Sequence, residues 1–458
     1  MDVDERNERS VRAESIVSAL EKRGVVAFAT SFVDNSGISR VKTVPLGRLP
    51  QLAAWGVGFS TAFDYFRFDD WVAAPAGGEG PVGDQRIIPD LSRVVVLAAQ
   101  PGWAWAPGER WSQQGEEHDK CSRLLLRRQT EALAQQGITV QSAFEVEWVV
   151  SRGDSDDFAP ATSGSGYGLS RLVEVSDYAR DVMTAMTEQG VVVEQFHPEY
   201  AAGQFELTVA PESPVAAADT SVLVRTTLRA IGEVYGFRTS FSPKVDTFGV
   251  GNGGHVHLSL WRDGQNLMAG GERAFELTGA GEAFSAGVLE HLPALLAVGA
   301  PGVASYLRLV PSHWAGAYAC WGLENRETAL RMVTGSTGSS SWAANMEVKC
   351  FDLLANPYLA LAGLLAAGSA GLAGDAVLPE PVDVDPAALT QEVRDERGIE
   401  LLPDSLRESV TLFAADDTLR AAFGQPLVDA IVAVRESEIE LFDGATPEEI
   451  AAATRWTH

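Results

Sequence analysis

Residues 144 to 148 read Phe-Glu-Val-Glu-Trp, two glutamates one residue apart inside the apolar run AFEVEWVV. On a β-strand alternate side chains share a face, so Glu145 and Glu147 point one way and Val146 the other. Carboxylates that close repel, and half-burying them is costly unless a cation sits between them. Two further stretches carry acids in the same style. HPEYAAGQFELTV (197–209) holds Glu199 and Glu206, with Gln204, Glu206 and Thr208 alternating with apolar residues, and NMEVKCFD (345–352) places Glu347 in another strand-like run. Between them GVGNGGHVHLSLW (249–261) puts His255, His257 and Ser259 on one face of a strand behind a glycine-rich loop. Carboxylate oxygens with a single imidazole suit Mg²⁺ or Mn²⁺, whereas zinc favours more His or Cys. Five glutamates exceed the needs of one ion. Two ions fit, and paired divalent ions beside a phosphate are the usual way to neutralise charge in phosphoryl transfer.

Each motif alone is weak. Glu-x-Glu on a strand is more often a solvated face, His-x-His is commonly structural, and a glycine-rich loop is usually only a loop. Their conjunction in one chain with an arginine-bearing segment carries the argument.

Composition sets the frame for these strands. The chain has 458 residues, 46% of them hydrophobic and 21% charged, which suits a folded enzyme of two domains. Its formal net charge is −27 and its pI about 4.6. That argues against nucleic acid as a partner, because phosphate-backbone recognition needs clustered Lys and Arg. The three cysteines, Cys121, Cys320 and Cys350, have no paired spacing, which argues against a disulfide framework and suits a reducing cytoplasm. The charged N-terminus lacks an apolar signal core. The most membrane-like run, YLALAGLLAAGSAGLAG (358–374), is Ala/Gly-rich and follows Asn356-Pro357, so it reads as a buried helix and not a span; no membrane partner is expected.

The elements that position the acids follow from texture. Residues 14–23 read as a short helix stopped by Gly24, and VVAFATSFVD with ISRVKTVPL as two strands around the turn 34–37. PAGGEGPVGD (75–84) is a glycine- and proline-rich loop, after which IIPDLSRVVVLAAQPGWAWAP returns to strand texture. From CSRLLLRRQTEALAQQG onward helical spacing begins, with a glycine stop. A β-rich domain over 1–117 and a larger α+β domain over 118–458 is the simplest division. The last sixty residues read as helical, with the acids of VRESEIELF on a solvated face.

In their order these motifs resemble the glutamine synthetase family, over nearly the whole chain. FEVEW, HPEYAAGQFE, GNGGHVHLSL, NRETALR and MEVKCFDLLANPYLALAGLLAAG stand where that family has its Glu-x-Glu strand, its His…Glu…Gly-Gln-x-Glu strand, its His-x-His-x-Ser strand, its Asn-Arg-x4-Arg segment and its Glu-Val-(Arg/Lys) strand leading into Asn-Pro-Tyr. The resemblance implies an α+β fold: a small N-terminal β-grasp-like domain and a larger catalytic domain with a curved antiparallel sheet flanked by helices. It implies Mg²⁺ or Mn²⁺, two per active site, with ATP as cosubstrate. Glu147, Glu199 and Glu206 match the ligands of one metal, and Glu145, His255 and Glu347 those of the metal that meets the nucleotide. Glu194, His257 and Ser259 match nucleotide-side positions. Arg326 and Arg331 match the arginines that hold the transferring phosphoryl group, while Arg308, Gly251 and Lys349 match contacts to the acid substrate. It implies further a homo-oligomer, a dodecamer of two hexameric rings, in which the N-terminal domain of one subunit completes its neighbour's site.

The implied reaction is ATP-dependent ligation: a carboxylate becomes an acyl phosphate, and an amine nitrogen displaces the phosphate. Two departures bear on the amine. Ser60, in GFSTAFDYF, replaces the aspartate that binds ammonium in ammonia-using members, and Trp314, in VPSHWAGAY, replaces the glutamate that closes the ammonium site. A pocket that loses two carboxylates and gains an indole suits an organic amine with apolar surface, as in the γ-glutamylamine ligases of the family, which use polyamines, ethanolamine or alkylamines. Val250 and Lys349 depart from residues that contact the acid substrate, and Trp342 and Asn345 from basic nucleotide-side residues; glutamate is the first choice of acid. The alternatives are an ammonia-using glutamine synthetase and a non-catalytic, regulatory relative.

Overall fold

The computed structural model describes residues 1–73 and 82–458. The loop read at 75–84 falls largely outside the described residues. Two sheets dominate. The first holds β1 (Ala27–Val33), β2 (Ser39–Pro45), β3 (Val57–Ser60), β4 (Asp84–Pro89), β5 (Val95–Val96) and β6 (Trp103–Ser112), in the order β2-β1-β6-β4-β3 with β5 on β6. The second holds β7 (Thr139–Arg152), β8 (Val193–Pro198), β9 (Gln204–Val209), β10 (Phe237–Ser240), β11 (Val256–Arg262), β12 (Gln265–Asn266), β13 (Tyr318–Leu323), β14 (Thr328–Val333), β15 (Asn345–Val348) and β16 (Glu400–Leu401). Its order is β16-β13-β14-β15-β11-β7-β9-β8, with β10 on β7 and β12 on β11.

The second sheet is antiparallel, as the resemblance implies, except at one pair, and the first sheet also holds a parallel pair. β1 pairs parallel with β6, and β13 pairs parallel with its immediate successor β14. A parallel pair needs the chain to return to the starting edge. For β13 and β14 the return is the short segment 324–327, which Asn325 anchors by donating to the carbonyls of Val382 and Val384 at 2.8 and 2.9 Å.

Helices cover the back of the second sheet. The run 358–374 is indeed a buried helix, Pro357–Ala373, begun by Asn356, whose side chain accepts from the amides of Tyr358 and Leu359. Its small residues have a steric purpose. A Cβ on Gly371 would stand 2.1 Å from the Ala283 carbonyl, so the helix Gly279–Gly299 packs on it backbone to backbone. Asn356 also ties this helix to the first sheet, donating to the carbonyls of Val33 and Asp34 at the end of β1.

Two helical readings need correction. The first helix spans Val3–Glu21 and not 14–23, because Asp2 caps it and its early turns dock through polar groups: Arg6 and Arg9 donate to the carbonyls of Ala54, Ala53 and Pro89. Hydrophobic periodicity does not register such docking. The acids of VRESEIELF do not all face solvent either. Glu436 and Glu440 are exposed, but Glu438 is buried, accepts from the Val303 amide at 2.8 Å, and lies against buried Arg435.

A buried ionic knot joins the first sheet to the helices. Arg123 meets Asp219 at 2.9 Å, Glu109 of β6 at 2.5 Å and Asp90 at 2.7 Å, and Tyr358 donates to Asp219 at 2.8 Å. Removing the cation strands buried carboxylates. Arg123→Met is therefore expected to destabilise the protein by about 3–5 kcal/mol, measured by urea unfolding, although methionine fills similar space.

Candidate active site

Cross-strand register assembles the site on β7. Glu147 stands opposite Glu206 of β9, which stands opposite His197 of β8. On the other side Glu347 of β15 stands opposite both His257 of β11 and Arg331 of β14, and His257 is opposite Ala143 of β7. Glu145, two residues from Ala143 and from Glu147, faces the same way and bridges the two rows. The rows line a cavity of about 1090 Å³.

The contacts within it are close. His255 Nδ1 lies 2.6 Å from Glu145 and 3.3 Å from Glu347, and its Nε2 lies 3.7 Å from Glu147. His257 Nε2 lies 3.5 Å from Glu145 while its Nδ1 faces Asn345 at 2.9 Å. Glu147 accepts from the Gly253 amide at 2.8 Å and from Gln204 at 3.0 Å. Lys349 and Arg331 hold the two oxygens of Glu347 at 3.0 and 2.9 Å, and Arg331 also pairs with Glu324.

Electrostatics divide the site in two. Burial disfavours charge on Glu145, but the His255 cation and its hydrogen bond hold the carboxyl well below its ordinary value. Glu347, fully buried, is likewise held well below it, chiefly by Lys349. Burial and Lys349 oppose protonation of His255, and the facing carboxylates overcome both, lifting it to about 9. At the other end His197 stands in place of lysine or arginine. Burial pushes the Glu206 carboxyl up to about 8; His197 opposes this, and the charges of Glu145 and Glu147 add to it. Glu199 is raised as well, by burial and by Glu147. His197, raised to about 8 by its hydrogen bond to Glu206, is the imidazole at this end.

These donor sets fit divalent cations. Three groups each keep their ligand atoms within 4.8 Å of one another: Glu145, His257 and Glu347; Glu145, Glu147 and His255; His197, Glu199 and Glu206. Two imidazoles share Glu145, and a third, His197, meets Glu206 at 3.3 Å.

Of the other sequence candidates, Glu194, Ser259, Gly251, Arg308, Trp314, Arg326 and Lys349 line the cavity, with Val250, Trp342 and Asn345. Arg308 donates to the Lys349 and Phe351 carbonyls and lies 3.1 Å from His255 Nε2. Ser60 is not brought there. It ends β3 and caps the turn Thr61–Tyr65 by accepting from the Ala62 amide at 3.1 Å. Sequence reading missed Gln204, His197, Tyr167 and Tyr200. The alternation of β9 marked Gln204, and His197 opens the same motif. Tyr167 gave no signal, since it reaches the site from a loop and sets its ring 5.8 Å from that of His197. Tyr200 meets Trp314 edge to face at 5.2 Å.

A sheet-borne acidic cavity with an arginine wall is the site of an enzyme acting on phosphorylated small molecules. Comparison with known proteins gives the family. Residues 119–452 match the model of the glutamine synthetase catalytic domain. A relative from Streptomyces coelicolor, "Gamma-glutamylpolyamine synthetase GlnA3", is 53% identical over 98% of this chain and 97% of its own. A solved "novel glutamine synthase homolog" superposes with a TM-score of 0.84 at 32% identity, covering 95% of this chain and 99% of the other. A solved "GmaS/ADP complex" superposes with a TM-score of 0.82 at 25% identity, covering 94% and 96%. The chain belongs to the glutamine synthetase family, as an ATP-dependent ligase. Among the described residues no helix is long and apolar enough to cross a membrane.

The site dictates a pH dependence. Glu206 is raised above its unfolded value and His255 likewise, so the folded state binds more protons than the unfolded one between about pH 5 and about pH 9. Metal-free stability is expected to fall as pH rises through that window. Mg²⁺ or Mn²⁺ should raise the melting temperature most at its upper end, and Glu206→Gln should flatten the metal-free slope. Scanning calorimetry with and without metal reads all three.

Proposed function

We propose that the protein joins the γ-carboxylate of glutamate to an organic amine at the expense of ATP, releasing ADP and phosphate. The carrying observation is the Trp314–Tyr200 aromatic corner on the cavity wall, where ammonia-using members place a carboxylate. Aromatic faces attract an alkylammonium group and cover its methylenes, which a bare ammonium ion lacks. The name of the Streptomyces coelicolor relative supports a polyamine as that amine.

Glu147, Glu199 and Glu206 would hold one Mg²⁺ or Mn²⁺, and Glu145, His255 and Glu347 a second; His197 and His257 stand close enough to serve as further donors. Such ions supply charge neutralisation of the nucleotide phosphates. The chain's own groups do the positioning. Arg308 and Lys349, with the Gly251 backbone, face the acid substrate; Glu194, His257 and Ser259 face the nucleotide. A glutamate oxygen attacks the terminal phosphorus, and Arg326 and Arg331 stabilise charge on the moving phosphoryl group. The amine nitrogen, in its neutral form, then attacks the acyl carbon; the bond to phosphate breaks, and the proton that the nitrogen loses leaves with the phosphate.

We also propose that residues 1–117 and 118–458 are separate domains. A cytoplasmic setting fits Cys121, Cys320 and Cys350, all buried and unpaired. Ser60, absent from its own chain's cavity, would reach the site of a neighbouring subunit in a dodecamer of two hexameric rings.

With glutamate and ATP, an amine panel is expected to give kcat/KM for a polyamine or another organic amine at least about tenfold above that for ammonium. Trp314→Ala should raise the amine KM by about tenfold and leave the ATP KM within about twofold. Preference for ammonium in the unaltered protein would overturn the reading. Light scattering should show a ring-sized particle; an active monomer would contradict the shared site.

A further inference from the structure

The loop 311–316, which presents Trp314 to the cavity, is conformationally expensive. Ser312 and Trp314 both hold positive φ, 59° and 56°, without being glycine. Such residues are strained and persist only where the surroundings over-determine them. The surroundings are visible. Gly316, φ 69°, is pressed against β14, where a Cβ would meet the Thr328 carbonyl and Lys349 Cβ at 3.0 Å. Ser312 donates its hydroxyl to Asp385 at 2.8 Å.

The third anchor is Glu327. It lies at the end of the segment joining β13 to β14, next to Arg326, and is 8% exposed. Its Oε1 accepts from the Trp314 amide at 2.8 Å, while its Oε2 is buried without a hydrogen-bond partner among the described residues. The Ser312 amide of the same loop also faces this buried carboxylate, which holds the loop by its backbone. Glu327 does not line the cavity, so its reach to the reaction runs through the loop. The Glu327 carboxylate is turned to the backbone of the loop that carries Trp314.

We propose that Glu327 is the positioning residue that sets acceptor specificity, holding Trp314 in its left-handed conformation against Tyr200 so that the indole walls the amine end of the cavity. This rests on the amine-ligase reading above.

The test is a double-mutant cycle with a separate structural readout. Glu327→Ala is expected to raise the amine KM by about tenfold, with the ATP KM within about twofold. Glu327→Gln, which keeps an acceptor for the Trp314 amide, should restore most of it. In the Trp314→Ala background Glu327→Ala should have no further effect on amine KM. Hydrogen exchange of the 312–316 amides, read without any substrate, should accelerate in Glu327→Ala and not in Glu327→Gln. Unchanged exchange overturns the inference, as does an amine KM effect that persists in full without Trp314. If the unaltered protein prefers ammonium, the amine-ligase reading fails and the specificity role with it. The exchange data then still report whether Glu327 holds the loop.

Discussion

Like-charge repulsion across a fixed register governs this molecule. Glu147 stands directly opposite Glu206, with Glu145 on the same face of the same strand, an arrangement that destabilises a sheet unless positive charge enters between the strands. One end of the site answers with the protein's own cations: Lys349 and Arg331 grip Glu347, and His255 grips Glu145. The other end leaves Glu199 and Glu206 under-compensated, their carboxyls raised by burial. The asymmetry is functional in form. The compensated end keeps its charge beside the protein's own cations, and the other end keeps carboxylates whose charge a divalent ion would offset.

Strands suit this task because register, once set by a buried face, cannot slip by one residue without turning every side chain over. β7 has fourteen residues and pairs with β11 along its first part, with β9 in its middle and with β10 at its end. Phe144, Val146 and Trp148, on the opposite face, are buried in the core and lock that register. The helix packing behind the sheet, close enough at Gly371 to exclude any side chain, gives the face its rigidity.

The loops supply what the sheet cannot. Tyr167, Tyr200 and Trp314 reach the cavity from irregular segments, two of them at positive φ, and each is held by contacts remote in sequence. Buried Arg171 gathers the carbonyls of Gly164, Glu199, Tyr200 and Ala201, fixing the bend that carries both Glu199 and Tyr200. Loop residues thereby acquire the precision of strand residues, through hydrogen bonds from buried polar groups.

The sequence by itself determined the chemistry of the sheet. Period-two alternation identifies which acids share a face, and the ordered motifs identify the family, because strand geometry converts spacing directly into direction. It did not determine the partners of those acids. That His197 meets Glu206, that Lys349 turns to Glu347, that Glu438 is buried and that the first helix starts at Val3 all depend on contacts between residues far apart in the chain. Local periodicity carries no record of such contacts. The parallel pairing of β13 with β14, and the turning of Glu327 beneath Trp314, were decided only when the tertiary structure brought the segments at 311–316, 324–327 and 382–385 together. The short connection is anchored by its own Asn325, whose partners Val382 and Val384 lie far along the chain.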